Sequence, residues 1–115
     1  MSIKKLLNRF NNFIDAEIRS IKLISPVEIE LDLAVQDSAR AFDWINLKLS
    51  FSSVYDANLL ENSKLQLIDS SNGFTLLQEG TDIAFTIGEC YNIADIKNQR
   101  LYIIAKTLKT SESPF

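Results

Sequence analysis

Apolar residues recur at two different intervals along this chain, and the interval changes near residue 15. Ile3, Leu6, Leu7, Phe10, Phe13 and Ile14 stand three or four apart, the spacing of one helix face. This predicts an amphipathic helix of about ten residues within 1–14, with Lys4, Lys5, Arg9 and Asn12 on its wet side. Ser2 suits the cap of its first turn. The stripe is expected to pack on the rest of the domain. Asn8, Arg9, Asn11 and Asn12 break the apolar run too early for a secretory leader.

Beyond Asp15 the period becomes two. In residues 27–33, Val27, Ile29, Leu31 and Leu33 face one way, while Glu28, Glu30 and Asp32 face the other. Such alternation marks a strand with one buried and one wet face. Ser25-Pro26 marks the turn before it, and residues 17–24 are its expected antiparallel partner. Ile18, Ile21 and Leu23 do not share one alternation, so a bulge is expected between Ile18 and Ile21. Residues 36–41 read as a polar connection.

Residues 44–51 alternate again, with Ile45, Leu47, Leu49 and Phe51 inward. Val54 and Tyr55 either extend this strand or begin a bend. A short strand is expected over 64–68. Asp69-Ser70-Ser71-Asn72-Gly73 then turns, because Asn-Gly readily takes positive φ. Residues 74–78 return as its hairpin partner, Glu79-Gly80 turns, and residues 81–87 form a further strand. Residues 88–98 are irregular, with a short helical turn. Residues 101–108 are apolar on both faces and so belong in the middle of a sheet. Residues 111–115 read as a frayed tail. One N-terminal helix and about seven strands at spacings of roughly eight to twelve residues predict a mainly β, single-domain chain. The expected architecture is an antiparallel β-sandwich or a strongly curved sheet.

Composition narrows the chemistry. The chain has 115 residues, no histidine and one cysteine. A Ser–His–Asp or Cys–His nucleophile has no imidazole to use. Zinc would find Cys90 and no second thiol or imidazole. The Asp69–Gly73 stretch lacks the acid spacing of a calcium loop, and the isolated glycines form no phosphate-binding loop. Carboxylate pairs are what remain for acid–base chemistry, and no pair among fifteen acids stands out. Cys90 lies beside Glu89, which works against thiolate formation, so it reads as a packed residue. No catalytic residue, metal ligand or cofactor is expected, and the chain is read as non-enzymatic. The single thiol and the absence of a long apolar run place it in the cytoplasm, away from the membrane.

Charge changes the picture more. The net charge is −3, yet residues 28–95 carry twelve acids against three bases, a net of −9, while the flanks carry +6. A body this acidic repels nucleic acid. Glu28, Glu30 and Asp32 would stand about 6.6 Å apart along one strand face. They are either a solvated face partly paired with Arg19 and Lys22, or the docking surface for a basic protein partner. Trp44 shares the outward side of its strand with Lys48. It is either an exposed anchor or, under a second layer, buried beneath the N-terminal helix, and burial is the expectation taken forward.

Residues 13–21, 44–51 and 101–109 together resemble small β-rich bacterial proteins of uncharacterised families, some of which look like immunity proteins of toxin systems. The resemblance implies a partner protein and assigns no functional residue. The expectation is therefore a binding protein with Glu28, Glu30 and Asp32 facing its partner. A structural homo-oligomer, with a homodimer formed by self-pairing of edge strands, is the alternative.

Overall fold

The computed structural model describes residues 3–59 and 74–114. The expected strand over 64–68, the turn at 69–73 and the Ser2 cap lie outside them. Six strands make one open antiparallel sheet: β1 (Glu17–Ser25), β2 (Glu28–Asp37), β3 (Asp43–Asn58), β4 (Phe74–Glu79), β5 (Asp82–Ile87) and β6 (Tyr102–Pro114). Their spatial order is β1-β2-β3-β6-β5-β4. The chain is thus mainly β, as its period of two required, and its sheet is curved and open; the sandwich alternative is not adopted. Two short helices, α1 (Ile3–Arg9) and α2 (Ile93–Ile96), flank it.

Alternation decides which side chains meet. Ile29, Leu31, Leu33 and Val35 of β2 lie in register with Phe51, Leu49, Leu47 and Ile45 of β3. All eight are buried in the main core, with Phe74, Leu76 and Phe85 from β4 and β5. The Phe85 ring stacks on Phe74 at 5.5 Å and tilts against Phe51 at 6.2 Å. A second, smaller core occupies the opposite face, where Ala84 and Ile104 meet Cys90 and Ile96 beneath α2. Both faces of β6 are therefore covered, which explains its two-sided apolar pattern and its place inside the sheet.

The sheet curls because its long strands change face midway. In β3 the inward residues run Phe51 then Val54, and in β6 they run Ala105 then Leu108, three apart instead of two. Phe51 pairs with Leu108 and Val54 with Ala105, so both strands shift at one level. Ser53 takes φ of 54° there, and a bulge follows between Val54 and Asp56. Bulges of this kind bend a strand and raise its twist. The β1–β2 turn touches the same bend through a bond of 2.9 Å from Val54 N–H to the Val27 carbonyl.

Several expectations need correction. The helix ends at Arg9, short of residue 14. Asn11, Asn12 and Phe13 then take φ of 55°, 54° and 59°, and Asp15 takes 61°. This left-handed turn is closed by Phe13 N–H to the Phe10 carbonyl (2.9 Å) and Ile14 N–H to the Asn11 carbonyl (3.0 Å). It drives Phe10 and Phe13 into the core and leaves Ile14 exposed. Left-handed backbone costs roughly 1–2 kcal/mol per non-glycine residue, and burial of each Phe returns about 1.5–3 kcal/mol. Val27 belongs to the two-residue turn before β2 and is exposed, not inward. Residues 36–37 belong to β2, and a single 3-10 turn, Ser38–Arg40, follows. The supposed tail is strand: Pro114, Ser113 and Glu112 pair with Ile45, Asn46 and Leu47. Its alternation falls on a wet surface, so hydropathy alone did not reveal it. The bulge between Ile18 and Ile21 is present, with a register shift between Ile18 and Ser20, and a second shift lies between Leu23 and Ser25.

The left-handed turn gives a direct stability test. Asn12 is exposed, so its side chain matters there chiefly through backbone preference. Asn12→Gly is expected to raise unfolding free energy by about 0.5 kcal/mol, and Asn12→Val to lower it by about 1–2 kcal/mol. Urea denaturation of both variants measures this.

Candidate functional site

The three acids of β2 do share the outer face, alternating with the buried Ile29, Leu31 and Leu33. Their neighbours differ. Glu30 stands opposite Lys22 of β1 and forms an ion pair of 3.8 Å with Lys48 of β3. Asp32 lies between Ser20 and Lys48 in register and accepts a 2.8 Å hydrogen bond from the Ser20 hydroxyl. Lys109 of β6 stands opposite Ser50 on the same face. Cross-strand lysines thus interrupt the negative row at its inner end. Arg19, the other cation expected beside these acids, sits at the register shift of β1.

Glu28 is different. It is exposed at the start of β2 and makes no ion pair with a described residue. Leu23, Ile24 and Val27, on the same hairpin end, are 65%, 53% and 49% exposed. The hairpin end therefore exposes Leu23 on the side of the inward Ile29, Ile24 and Val27 at the bulge and turn, and the Glu28 carboxylate on the outer face. No sequence reading marked this group, because Val27 was assigned inward; Pro26-Val27 as a two-residue loop was the available signal.

A second polar cluster lies on the outer face beside α2. Asp56 accepts a hydrogen bond of 2.9 Å from the Tyr102 hydroxyl and pairs with Lys97 at 3.7 Å. Asp82 pairs with Lys106, whose ammonium sits 5.1 Å from the Tyr55 ring centre. The hydrogen bond from Lys106 holds the Asp82 carboxyl below its ordinary range, and Asp82 in return raises the Lys106 ammonium. Burial and then Asp82 push the Tyr55 phenol up, and Asp56 does the same to Tyr102. Each of these shifts carries a pKa further from 7, opposite to what proton transfer at neutral pH requires.

The most completely satisfied polar group is one that sequence reasoning missed. Asp37, assigned there to a polar connection, is fully buried on the inner face at the end of β2. The Arg9 guanidinium donates to both its oxygens, at 3.1 and 2.8 Å. The same guanidinium donates to both oxygens of Glu112, at 2.7 and 2.6 Å. Arg40 approaches Asp37 at 3.6 Å, and the Ala39 N–H donates to it at 3.0 Å. Arg9, expected on the wet side from its spacing, is instead half-buried, with its guanidinium turned onto two carboxylates. The hydrogen bonds from Arg9, and then the one from Ala39, outweigh burial and hold Asp37 below the usual carboxylate range. Asp37 and Glu112 likewise raise the Arg9 guanidinium. A shallow groove lined by Arg40, Ile45, Glu112, Ser113 and Pro114 adjoins the cluster. Asp37-Ser38-Ala39, an Asp accepting from the N–H two residues on, was the legible signal.

Trp44 is 39% exposed on the outer face and not buried beneath α1, because the sheet is a single layer with α1 on its inner side. Cys90 is buried, and burial first, then Asp95, pushes its thiol up. Among the described residues, no group of three His, Cys, Asp or Glu side chains is placed to hold a metal ion. No described helix is long and apolar enough to cross a membrane.

Asp37→Ala strips a buried pair of its acceptor and is expected to cost about 3 kcal/mol, the low end for such a loss because Arg9 keeps Glu112. The pH dependence follows from the lowered folded pKa of Asp37. Its contribution is fully present above the unfolded carboxylate value of about 4 and fades as pH falls through the folded value. The stability gap between the wild type and Asp37→Ala should therefore hold from pH 7 to about 5 and shrink below about 4. Thermal unfolding across that range measures the gap.

Comparison with family models finds no match, and no curated protein or solved structure matches the chain.

Proposed function

We propose that the protein is a non-enzymatic binding domain for a basic protein, with the β1–β2 hairpin end and the acids of β2 facing that partner. The observation that carries this reading is Glu28, exposed and without an ion pair among described residues, at the same hairpin end as the exposed Leu23, Ile24 and Val27. Apolar side chains with charge at the margin are the composition of a protein interface. The excess of acids over 28–95 supplies long-range attraction, which speeds encounter with a cationic surface. Glu30 and Asp32, already partnered by Lys48 and Ser20, tune the rim of this surface. The same acidic excess disfavours nucleic acid. The resemblance to immunity proteins makes a basic toxin the specific partner within this reading, and a cytoplasmic setting fits the single buried thiol.

A homo-oligomer is the second reading, favoured by the exposed Leu23 and Ile24 on the edge strand β1. Two register shifts in that strand work against it, because irregular edges resist pairing with another chain.

The test uses the product of the adjacent reading frame, co-expressed with this chain. Glu28→Lys, Glu30→Lys and Asp32→Lys together should slow association at low salt by about tenfold and leave dissociation nearly unchanged. Unaltered capture by the triple variant overturns the assignment of this face. A stable dimer by light scattering that Leu23→Ser abolishes favours self-association instead.

A further inference from the structure

We infer that α1 is a latched strap across the open side of the curled sheet, held shut by the forked contacts of Arg9 and able to open while the sheet stays folded. Helix α1 has seven residues and no fully buried one. Ile3, Leu6 and Leu7 only rest partly buried on the main core. A helix this short is unstable by itself, so its docking must come from contacts outside it. It packs against β4 and the 3-10 turn after β2.

The deep anchors come after the helix, not within it. Phe10 and Phe13 are 1% and 0% exposed, and the left-handed turn fixes both. That turn gives the strap a rigid pivot. At the boundary, Arg9 reaches two carboxylates on different strands, Asp37 of β2 and Glu112 of β6, and its guanidinium lies 4.9 Å from the Phe10 ring centre. Arg9 and Glu112 are about one-third exposed, so water and salt reach this latch while the core beneath stays dry. Opening the latch frees residues 3–9 and leaves Phe10 and Phe13 seated. It uncovers the flank of β4, the outermost of the described strands on that side, which α1 otherwise touches.

Amide hydrogen exchange on the full chain tests this. Residues 7–10 report on the helix, including the Phe10 N–H that bonds to the Leu6 carbonyl. Arg9→Met should speed their exchange by about tenfold through an opening that depends only weakly on urea, whereas the amides of β2 and β3 exchange through the strongly urea-dependent global opening. Glu112→Gln, at an exposed position, should give a smaller rise of the same kind and keeps the test valid where Arg9→Met perturbs folding. Raising NaCl to about 1 M should speed exchange at residues 7–10 in the wild type and leave Arg9→Met unchanged. Unchanged exchange at residues 7–10 in both variants overturns the strap. So does exchange at residues 7–10 with the same urea dependence as the sheet, which would make the Arg9 cluster a part of global stability alone.

Discussion

One apolar sheet face with almost no helix to cover it is the constraint that shapes this molecule. Leu31, Leu33, Leu47 and Leu49 must leave water, and the described helices are seven and four residues long. Burial therefore comes from the sheet itself. The paired change of face between Phe51 and Val54, and between Ala105 and Leu108, turns the strands until β4 and β5 contribute Phe74, Leu76 and Phe85 to the core that β2 and β3 begin. What the curl leaves open is filled by Phe10 and Phe13, and their turn accepts an unfavourable backbone to reach that place. Arg9 and Asp37 then close the polar end. No buried side-chain polar atom among the described residues lacks a partner.

The alternation of apolar residues made most of this legible. Strands β2 and β3, the β1 bulge, the Gly80 turn and the central place of β6 all follow from period two and turn chemistry. The failures have physical reasons. Asn11 and Asn12 tolerate positive φ, but Phe13 does not, and nothing local announced that it would be forced there by burial. Asp37 looked like loop chemistry because its cation, Arg9, lies 28 residues away. Trp44 depended on whether a second layer existed, a fact of topology that strand periodicity does not contain.

Charge was legible in its sum and less so in its placement. The sequence puts Glu28, Glu30 and Asp32 on one face, and the structure agrees. Register then sets Lys22 and Lys48 beside two of them. Cross-strand neighbours come from loop lengths and bulges, so a charge row on one strand says little about the potential of the finished sheet. Glu28 starts its strand beside the turn and has no ion pair among the described residues.

The strand order has a consequence for how the protein is made. β1, β2 and β3 pair in sequence, and so do β4 and β5, each through local turns. β6 alone joins the two groups, between β3 and β5, and it is translated after all five. Until it arrives, two neighbouring strands offer bare edges and Phe51 and Phe85 lack their shared cover. Acquisition of the native state therefore waits on non-local pairing, the slow class of folding event, and the nascent chain is most prone to aggregate just before that strand emerges.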